Sequence, residues 1–460
     1  MKVETDRAAQ TMEKRRGRLL QVLGVGFGVA VIIGNTIGAG ILRTPGEVAA
    51  HLPDGRLFIS VWIAGGLYAL LGAISMAELG TMIPQSGGQY VFARRALGDY
   101  AGFIVGWSDW ISTCGTVAAV AIVVGEYTSV LVPALAGRTA GIALAVTVVF
   151  ALLQWRGISW GSGVQNLTSL LKALAFIALI AACFALGGNH SNIASPQPPI
   201  PIEQSFFVSI ILSLQAVIYT YDGWTGVIYF SEEVREPDRD IPRAMLGGVV
   251  SVIVIYLLVN LAFLYVLPIP MLAGEQLAAG AAARAIFGER GDTVIRVLMI
   301  VSMMSSINAN HLMASRVLFG MSRDGLFSRR AVGVNKGGTP TAALLIGTLV
   351  AVIFILLGKT FDQVTAVVAF FFAANYAISF WSVFVLRRQE PDAPRPYRVW
   401  GYPWTTALAL TASIAFLAGA IASDVAGGTL VSIYALILLA ASYPAFRLMK
   451  WVVSVELPRA

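Results

Sequence analysis

The sequence predicts an all-α polytopic membrane protein with twelve transmembrane helices, and three observations carry that prediction. Of its 460 residues 57% are hydrophobic and 12% charged, against about a quarter charged in soluble globular domains. Mean hydropathy is +0.76. The apolar residues gather into runs long enough to cross a hydrocarbon core of about 30 Å, which takes roughly 20 helical residues. Finally, Lys and Arg fall mainly in alternate connections, the pattern of cationic loops kept in the cytoplasm.

The runs lie at 20–42, 57–79, 101–132, 139–155, 164–186, 206–230, 244–267, 292–319, 340–357, 362–386, 404–421 and 429–449. With the N-terminus inside, 24 of the 32 Lys and Arg fall on the inner side, among them Arg94, Arg95, Arg316, Arg323, Arg387 and Arg388. Seven fall outside, including Arg43 and Arg296, and the remaining one, Lys172, lies inside a span. The bias and the even span number place both termini in the cytoplasm of a cell (inner) membrane. A net charge of +7 then needs no nucleic acid; it records the inner-face bias and attraction to anionic lipid. The first apolar run exceeds the 7–15-residue core of a cleaved signal peptide.

The first span contains IIGNTIGAGIL at 32–42, with Gly34, Gly38, Ala39 and Gly40 inside it. Glycine costs about 1 kcal/mol relative to alanine in a helix, so three of them favour a break. A break at bilayer depth frees backbone groups, which is tolerated only where they line a cavity or meet a ligand. Two readings compete: close helix packing through Gly34 and Gly38, which have GxxxG spacing, or a binding site. In the second, the half-helix beginning near Ile41 presents free N–H groups to a carboxylate, while carbonyls of the preceding half suit an ammonium group.

In the second and third spans, Glu78, Asp109 and Glu126 are acids in apolar surroundings, each more readily a structural hydrogen-bond partner than a proton carrier. The fifth span reads NLTSLLKALAFIALI around Lys172. A lysine there costs about 2.5–3.5 kcal/mol to insert, and intramembrane charges are functional by default; the competing reading is snorkelling to the inner face. A functional Lys172 exchanges a proton or supplies a fixed cation.

The sixth span carries AVIYTYDGWTG at 216–226. Tyr219, Tyr221 and Trp224 lie mid-span, whereas interfacial aromatic belts lie at span ends, so the cluster reads as a lid or pocket wall. Asp222 either holds a proton or an ammonium group or caps a half-helix starting near Gly223. Two interrupted helices in corresponding halves of a chain are the best sequence pointer to a transporter's substrate site. Next, FSEEVREPDRDIPRA at 230–244 supplies Glu232 and Glu233 with Arg235, Arg239 and Arg243: an inner gate of ion pairs or a solvated loop, where such pairs contribute little.

Further on, Ser302, Ser305 and Ser306 in the eighth span and Asn375 in the tenth either line the cavity or join helices by hydrogen bonds. The longest connections, 187–205 outside and 387–403 inside, are rich in proline. Five spans run from the first break to Cys183 and five from the second to Arg387, and an odd number per unit makes the second inverted. The expected organisation is a cytoplasmic segment 1–19, a first five-helix repeat 20–186, a second 206–388, helices eleven and twelve at 404–449, and a cytoplasmic tail 450–460. Cys114 and Cys183 both sit in spans, and His51, His190 and His311 are scattered. No metal spacing, phosphate loop or Ser-His-Asp set appears, so no cofactor, metal or enzymatic activity is expected.

IGNTIGAGILRTPG followed by AELGTMIPQSGGQYVFARRALGDYAGFIVGW resembles the first three helices of the amino acid–polyamine–organocation superfamily. YDGWTGVIYFSEEVREPDRDIPRA resembles the sixth helix and following loop of its bacterial amino acid permeases, those similar to the L-type transporters. The resemblance covers nearly the whole chain. It implies a LeuT-like fold with the first and sixth helices discontinuous. It also implies that Ile37, Gly38, Ala39 and Gly40 bind the carboxylate and amine of an amino acid, with Tyr219 as lid and Asp222, Gly223, Trp224 and Thr225 as the opposing wall. Lys172 falls where sodium-independent members carry a lysine in place of a sodium ion.

The chain departs from the animal L-type pattern in two places. The loop 131–140 lacks the cysteine that bonds a heavy chain, so no such partner is expected, and Arg43 is an unusual charge just past the break. The function expected is sodium-independent transport of neutral amino acids by alternating access, as exchanger or proton symporter. A polyamine or cationic amino acid permease is the alternative within the class, favoured if Asp222 shares one pocket with Asp109 or Glu126. A sensor or channel built on a transporter fold is the alternative outside it.

Overall fold

The computed structural model describes residues 19–187, 206–357, 361–427 and 431–456. Among these residues the secondary structure is helical, with only isolated β-bridges at Leu23–Val234 and Val334–Pro340. The first span is two helices, α1 (Val25–Thr36) and α2 (Gly40–His51), bent by 46°. Then follow α3 (Gly55–Met82), α4 (Gln89–Leu97), α5 (Asp99–Leu131), α6 (Thr139–Trp155), α7 (Ile158–Leu186) and α8 (Phe206–Thr220). A 3-10 helix, Gly226–Glu233, leads into α9 (Pro237–Val266), the short α10 (Ile269–Leu272), α11 (Ala278–Phe287) and α12 (Arg290–Arg323). The chain closes with α13 (Thr341–Leu356), α14 (Phe361–Gln389), α15 (Trp404–Gly427), α16 (Val431–Ala440) and α17 (Ser442–Glu456).

Eight stretches of helix among the described residues are long and apolar enough to cross a membrane, nine with the bent α1–α2 pair. The runs at 139–155, 206–230 and 340–357 fall on α6, α8 and α13, whose 17, 15 and 16 residues are short for a hydrocarbon core. Helices α4, α10 and α11 lie in connections that the apolar runs did not reveal. The expected outer loop 187–205 falls almost wholly outside the described residues, as do residues 1–18 and 457–460.

Burial grades from α12, with 78% of its apolar window inside, to the Trp404–Val425 and Ser432–Glu456 helices at 22% and 17%. Helix α7 shows why this pattern belongs to lipid. Leu167, Leu170, Leu171, Leu174 and Ile177 form an exposed apolar stripe, while Gln165, Ser169 and Lys172 point inward. A water-soluble helix has the opposite arrangement. Glu78, near the C-terminal end of α3, accepts two bonds from Arg387 at 2.8 and 2.5 Å and one from the Val399 N–H at 2.7 Å. Arg395 pairs with it at 3.3 Å. The acid thus fastens the connection after α14, a structural role. Glu126 is exposed on α5.

Candidate functional site

The first break begins where α1 ends at Thr36 and Ile37 takes an extended conformation (φ −77°, ψ 97°). The carbonyls released there point at Lys172, whose Nζ donates to Gly34 O at 2.7 Å and Ile37 O at 2.5 Å. Lys172 is fully buried, which rules out snorkelling in this conformation. Ser302 of α12 donates to Ile37 O at 3.2 Å. The two ends of the GxxxG spacing do different work. A Cβ added at Gly34 would meet Gln165 Nε2 at 2.0 Å, whereas one at Gly38 would meet nothing within 4 Å. One glycine is packed among polar side chains and the other faces open space.

The second break follows α8. Residues 221–225 turn, with Gly223 at φ +109°, a conformation glycine adopts without steric cost. A Cβ there would meet Asn35 Nδ2 and Thr36 N, each at 2.9 Å. The two breaks therefore abut. Tyr256 of α9 bridges them, its hydroxyl 2.7 Å from Thr36 O and 3.0 Å from Thr220 O. The half-helix expected from Gly223 is instead this turn followed by the 3-10 helix, because the left-handed residue prevents an α-helix from starting there.

Between the breaks lies a cavity of about 710 Å³. Gly38, Ala39 and Gly40 line one side, Tyr219, Thr220 and Asp222 the other, and Met303, Ser306 and Asn310 of α12 close it laterally. It extends along α2 past Arg43, Glu47 and His51 to residues 274–276, between α10 and α11. A helix N-terminus, a strip of bare backbone and a buried cation behind it suit a small zwitterion.

Residues 27–442 match the family model described as amino acid permease. This chain belongs to the amino acid permease family, within the amino acid–polyamine–organocation superfamily. It is similar to the serine/threonine exchanger SteT of Bacillus subtilis, 29% identical over 88% of this chain and 92% of the relative. It is also similar to the mouse b(0,+)-type amino acid transporter 1, 28% identical over 86% of this chain and 82% of the relative. The human large neutral amino acids transporter small subunit 2 is 27% identical over 83% of this chain and 72% of its own length. The protein is thus an amino acid transporter spanning the membrane several times. A permease moves its solute unchanged, so it is not an enzyme.

Not every residue expected at the site of this permease lines the cavity. Ile37 is buried, its carbonyl turned to Lys172. Gly223 packs on Asn35 and Thr36. Trp224 is buried behind the wall, stacked on Tyr376 with ring centroids 4.9 Å apart; Thr225 is buried beside it. Asn375 is absent from the lining and accepts from Ser108 at 3.0 Å; it joins α14 to α5. Of the serines, Ser306 lines the cavity, Ser302 holds the break, and Ser305 bonds with Ser169 at 2.9 Å. Sequence reasoning missed Asn310, which donates to Asn35 Oδ1 at 2.8 Å, as well as Tyr256 and the Tyr376 hydroxyl, which donates to Asp222. Arg43 now has a place, on the cavity wall one turn beyond Gly40. Asp222 lines the cavity, but Asp109 and Glu126 do not, so the condition favouring a polyamine substrate is not met.

The end of the permease opposite residues 274–276 is closed. Glu233 accepts two bonds from Arg316 at 2.9 and 3.0 Å, both side chains wholly buried. Glu232 accepts from Arg323 at 2.5 Å. These partners come from α12, which corrects the expected gate: Arg235 is exposed, and no ion pair of Arg235 or Arg243 is among those observed for the described residues. The reason is local. Val234 is extended (φ −76°, ψ 136°), so the chain leaves the 3-10 helix and turns Arg235 away from its neighbouring acids. Arg316, counted with the inner-side cations in sequence, is instead a buried partner.

Proposed function

We propose that the permease carries neutral L-amino acids by a sodium-independent, alternating-access cycle. The observation that carries this reading is the Lys172 ammonium on the Gly34 and Ile37 carbonyls. Carbonyls freed at a half-helix C-terminus are the groups that coordinate Na⁺ in transporters of this architecture, and a cation covalently attached to α7 already occupies them. The substrate's carboxylate is assigned to the N–H groups entering α2 at Ala39 and Gly40, and its ammonium to the cavity-facing side of Gly38 and the second break. Tyr219 serves as lid, and Ile37, Gly223, Trp224 and Thr225 shape the wall from behind.

The scaffold proposed is LeuT-like: repeats 20–186 and 206–388 inverted with respect to each other, then 404–449 outside the pair, twelve spans in all. It counts α6, α8 and α13 as short spans and places both termini in the cytoplasm. The permease works without a disulfide-linked heavy chain. The buried Glu233–Arg316 pair at the closed end supports a carrier rather than a channel, which needs a continuous polar path.

The test is counterflow of radiolabelled L-alanine, L-serine, L-leucine, L-lysine and putrescine into proteoliposomes, in sodium and in choline buffer. Saturable counterflow of neutral substrates at equal rates in both buffers is expected. A strict sodium requirement, or putrescine as sole substrate, refutes the reading.

A further inference from the structure

Met303, Ser306 and Asn310 line the cavity from α12, and their spacing of three and four residues puts them on one face of the helix. Asn310 is buried, and its Nδ2 donates to Ser306 O at 2.9 Å and to Asn35 Oδ1 at 2.8 Å. A backbone carbonyl only accepts, so the nitrogen of the Asn310 amide faces Ser306 and its oxygen points elsewhere. The same contact orients the Asn35 amide, whose oxygen is the acceptor and whose nitrogen is left over. Among the bonds observed for the described residues, none is accepted by Asn310 Oδ1 and none is donated by Asn35 Nδ2. Neither atom is among the sealed, unpartnered ones, and both residues line the cavity.

The pair is held from both sides. Asn310 is anchored to its own helix through Ser306, and a Cβ at Gly223 would lie 2.9 Å from Asn35 Nδ2, so the second break packs against that amide. Other neutral polar side chains of the wall spend their donors within the protein. Thr116 donates to Ser112 O, Gln215 to Phe416 O and Thr220 to Ala216 O, which leaves Thr44 as the donor to Thr220 Oγ1. The two asparagines thus set an uncommitted donor beside an uncommitted acceptor. A hydroxyl or a carboxamide both donates and accepts, and so satisfies the two atoms together; an ammonium group only donates and a carboxylate only accepts. A hydrocarbon side chain satisfies neither atom and displaces the water that does.

We propose that the Asn35–Asn310 amide pair reads the substrate's side chain and selects neutral amino acids bearing a hydroxyl or a carboxamide over their hydrocarbon isosteres. The inference rests on the transport reading above and narrows its substrate class. Backbone groups at the two breaks bind what all amino acids share; the amide pair adds the discrimination they lack. Asn310 Oδ1 accepts the side-chain O–H or N–H, and Asn35 Nδ2 donates to the side-chain oxygen. Because the two amides are already bonded to each other, little ordering is left for the substrate to impose.

The experiment uses full-length permease in proteoliposomes and counterflow of radiolabelled L-alanine. Inhibition by unlabelled L-threonine is compared with that by L-valine, and inhibition by L-asparagine with that by L-leucine, pairs of similar size that differ in the polar group. In wild type L-threonine and L-asparagine are expected to inhibit at concentrations at least about tenfold lower than their hydrocarbon partners. In Asn310→Leu, which keeps the volume and removes the amide, each ratio should fall to within about twofold of unity. Wild-type ratios near unity overturn this proposal alone and need no variant, so the proposal is tested even where Asn310→Leu fails to fold. Absence of counterflow in wild type overturns the transport reading with it. Ratios retained in Asn310→Leu also overturn the proposal. So does loss of all counterflow in an Asn310→Leu protein that inserts and melts like wild type, since the pair then holds a group common to every amino acid.

Discussion

Replacing Lys172 by alanine is the most direct test of how the first break is held. The substitution deletes the donor to Gly34 O and one of two donors to Ile37 O, the other being Ser302. A hydrogen bond from a charged group contributes about 1.5–3 kcal/mol. With Ile37 O partly satisfied by Ser302, the loss falls at about 3–5 kcal/mol against the arrangement that frames the cavity. At 1.36 kcal/mol per factor of ten, transport is expected to fall by at least about 100-fold. Membrane insertion moves the other way, since a mid-span lysine costs about 2.5–3.5 kcal/mol to insert. The assay is initial-rate counterflow in proteoliposomes, normalised to inserted protein. Lys172→Gln serves beside it, because the amide can donate to a carbonyl but carries no charge; it should recover part of the activity. Counterflow by Lys172→Ala within threefold of wild type, over a range of pH, refutes the assignment of Lys172 to the break.

Two further substitutions separate packing from binding at the same helix. Gly34→Ala drives a methyl into Gln165, Ser305 and Ser169, so the melting temperature of the detergent-purified protein should fall, by an amount corresponding to about 1–3 kcal/mol of overpacking. Gly38→Ala adds its methyl to open cavity space; melting should be unchanged while the apparent KM for substrate rises at least about tenfold. At the closed end, Arg316→Ala strands the Glu233 charge in a buried site and should destabilise the fold by about 3–5 kcal/mol, read as a lowered melting temperature. Arg235→Ala, at an exposed position, should alter neither melting nor counterflow.

The sequence was most legible where physical cost is high. Glycines in an apolar helix and a lysine at bilayer depth are both unfavourable, so Gly38, Gly40 and Lys172 stood out, and the structure brings the break and the ammonium together. Residues that carry no such penalty were hidden. Tyr256 reads as one more aromatic in an apolar span, and only three-dimensional packing shows its hydroxyl between the two breaks. Trp224 and Thr225 were legible as part of an interrupted helix, but not the side of it they face, because a turn followed by a 3-10 helix abandons the 3.6-residue period from which faces are read. The gate failed for a similar reason. Glu232, Glu233 and Arg235 are close in sequence, and local charge suggested local pairing, yet the extended Val234 separates them and α12 supplies the partners. The apolar runs were legible from hydropathy, eight of them on helices long enough to span and nine with the bent pair, while α4, α10 and α11 were not, being too short or too polar to register as apolar runs.

The placement of the ion pairs bears on why such a carrier would move only when loaded. Lys172 lies on α7 and Ser302 and Arg316 on α12, whereas the groups they hold lie on the first break and on the 3-10 helix after the second. In the conformation observed, the cavity opens beside residues 274–276 while Arg316 keeps the 3-10 helix against α12 at the other end. In the proposed cycle, opening that end separates Arg316 from Glu233, and losing the partner of a buried charge costs about 3–5 kcal/mol. Binding a ligand at millimolar affinity releases about 4 kcal/mol. The two magnitudes are comparable, so on the proposed cycle an occupied cavity can offset separation of the pair and an empty one cannot. Weakening the pair while keeping both charges, as in Arg316→Lys, which replaces the two-pronged guanidinium by a single ammonium, should therefore loosen the requirement for substrate. The measurable consequence is efflux of preloaded L-alanine into substrate-free buffer, which should rise relative to counterflow. An unchanged ratio of efflux to counterflow would mean that the barrier to the empty carrier lies elsewhere than in this pair.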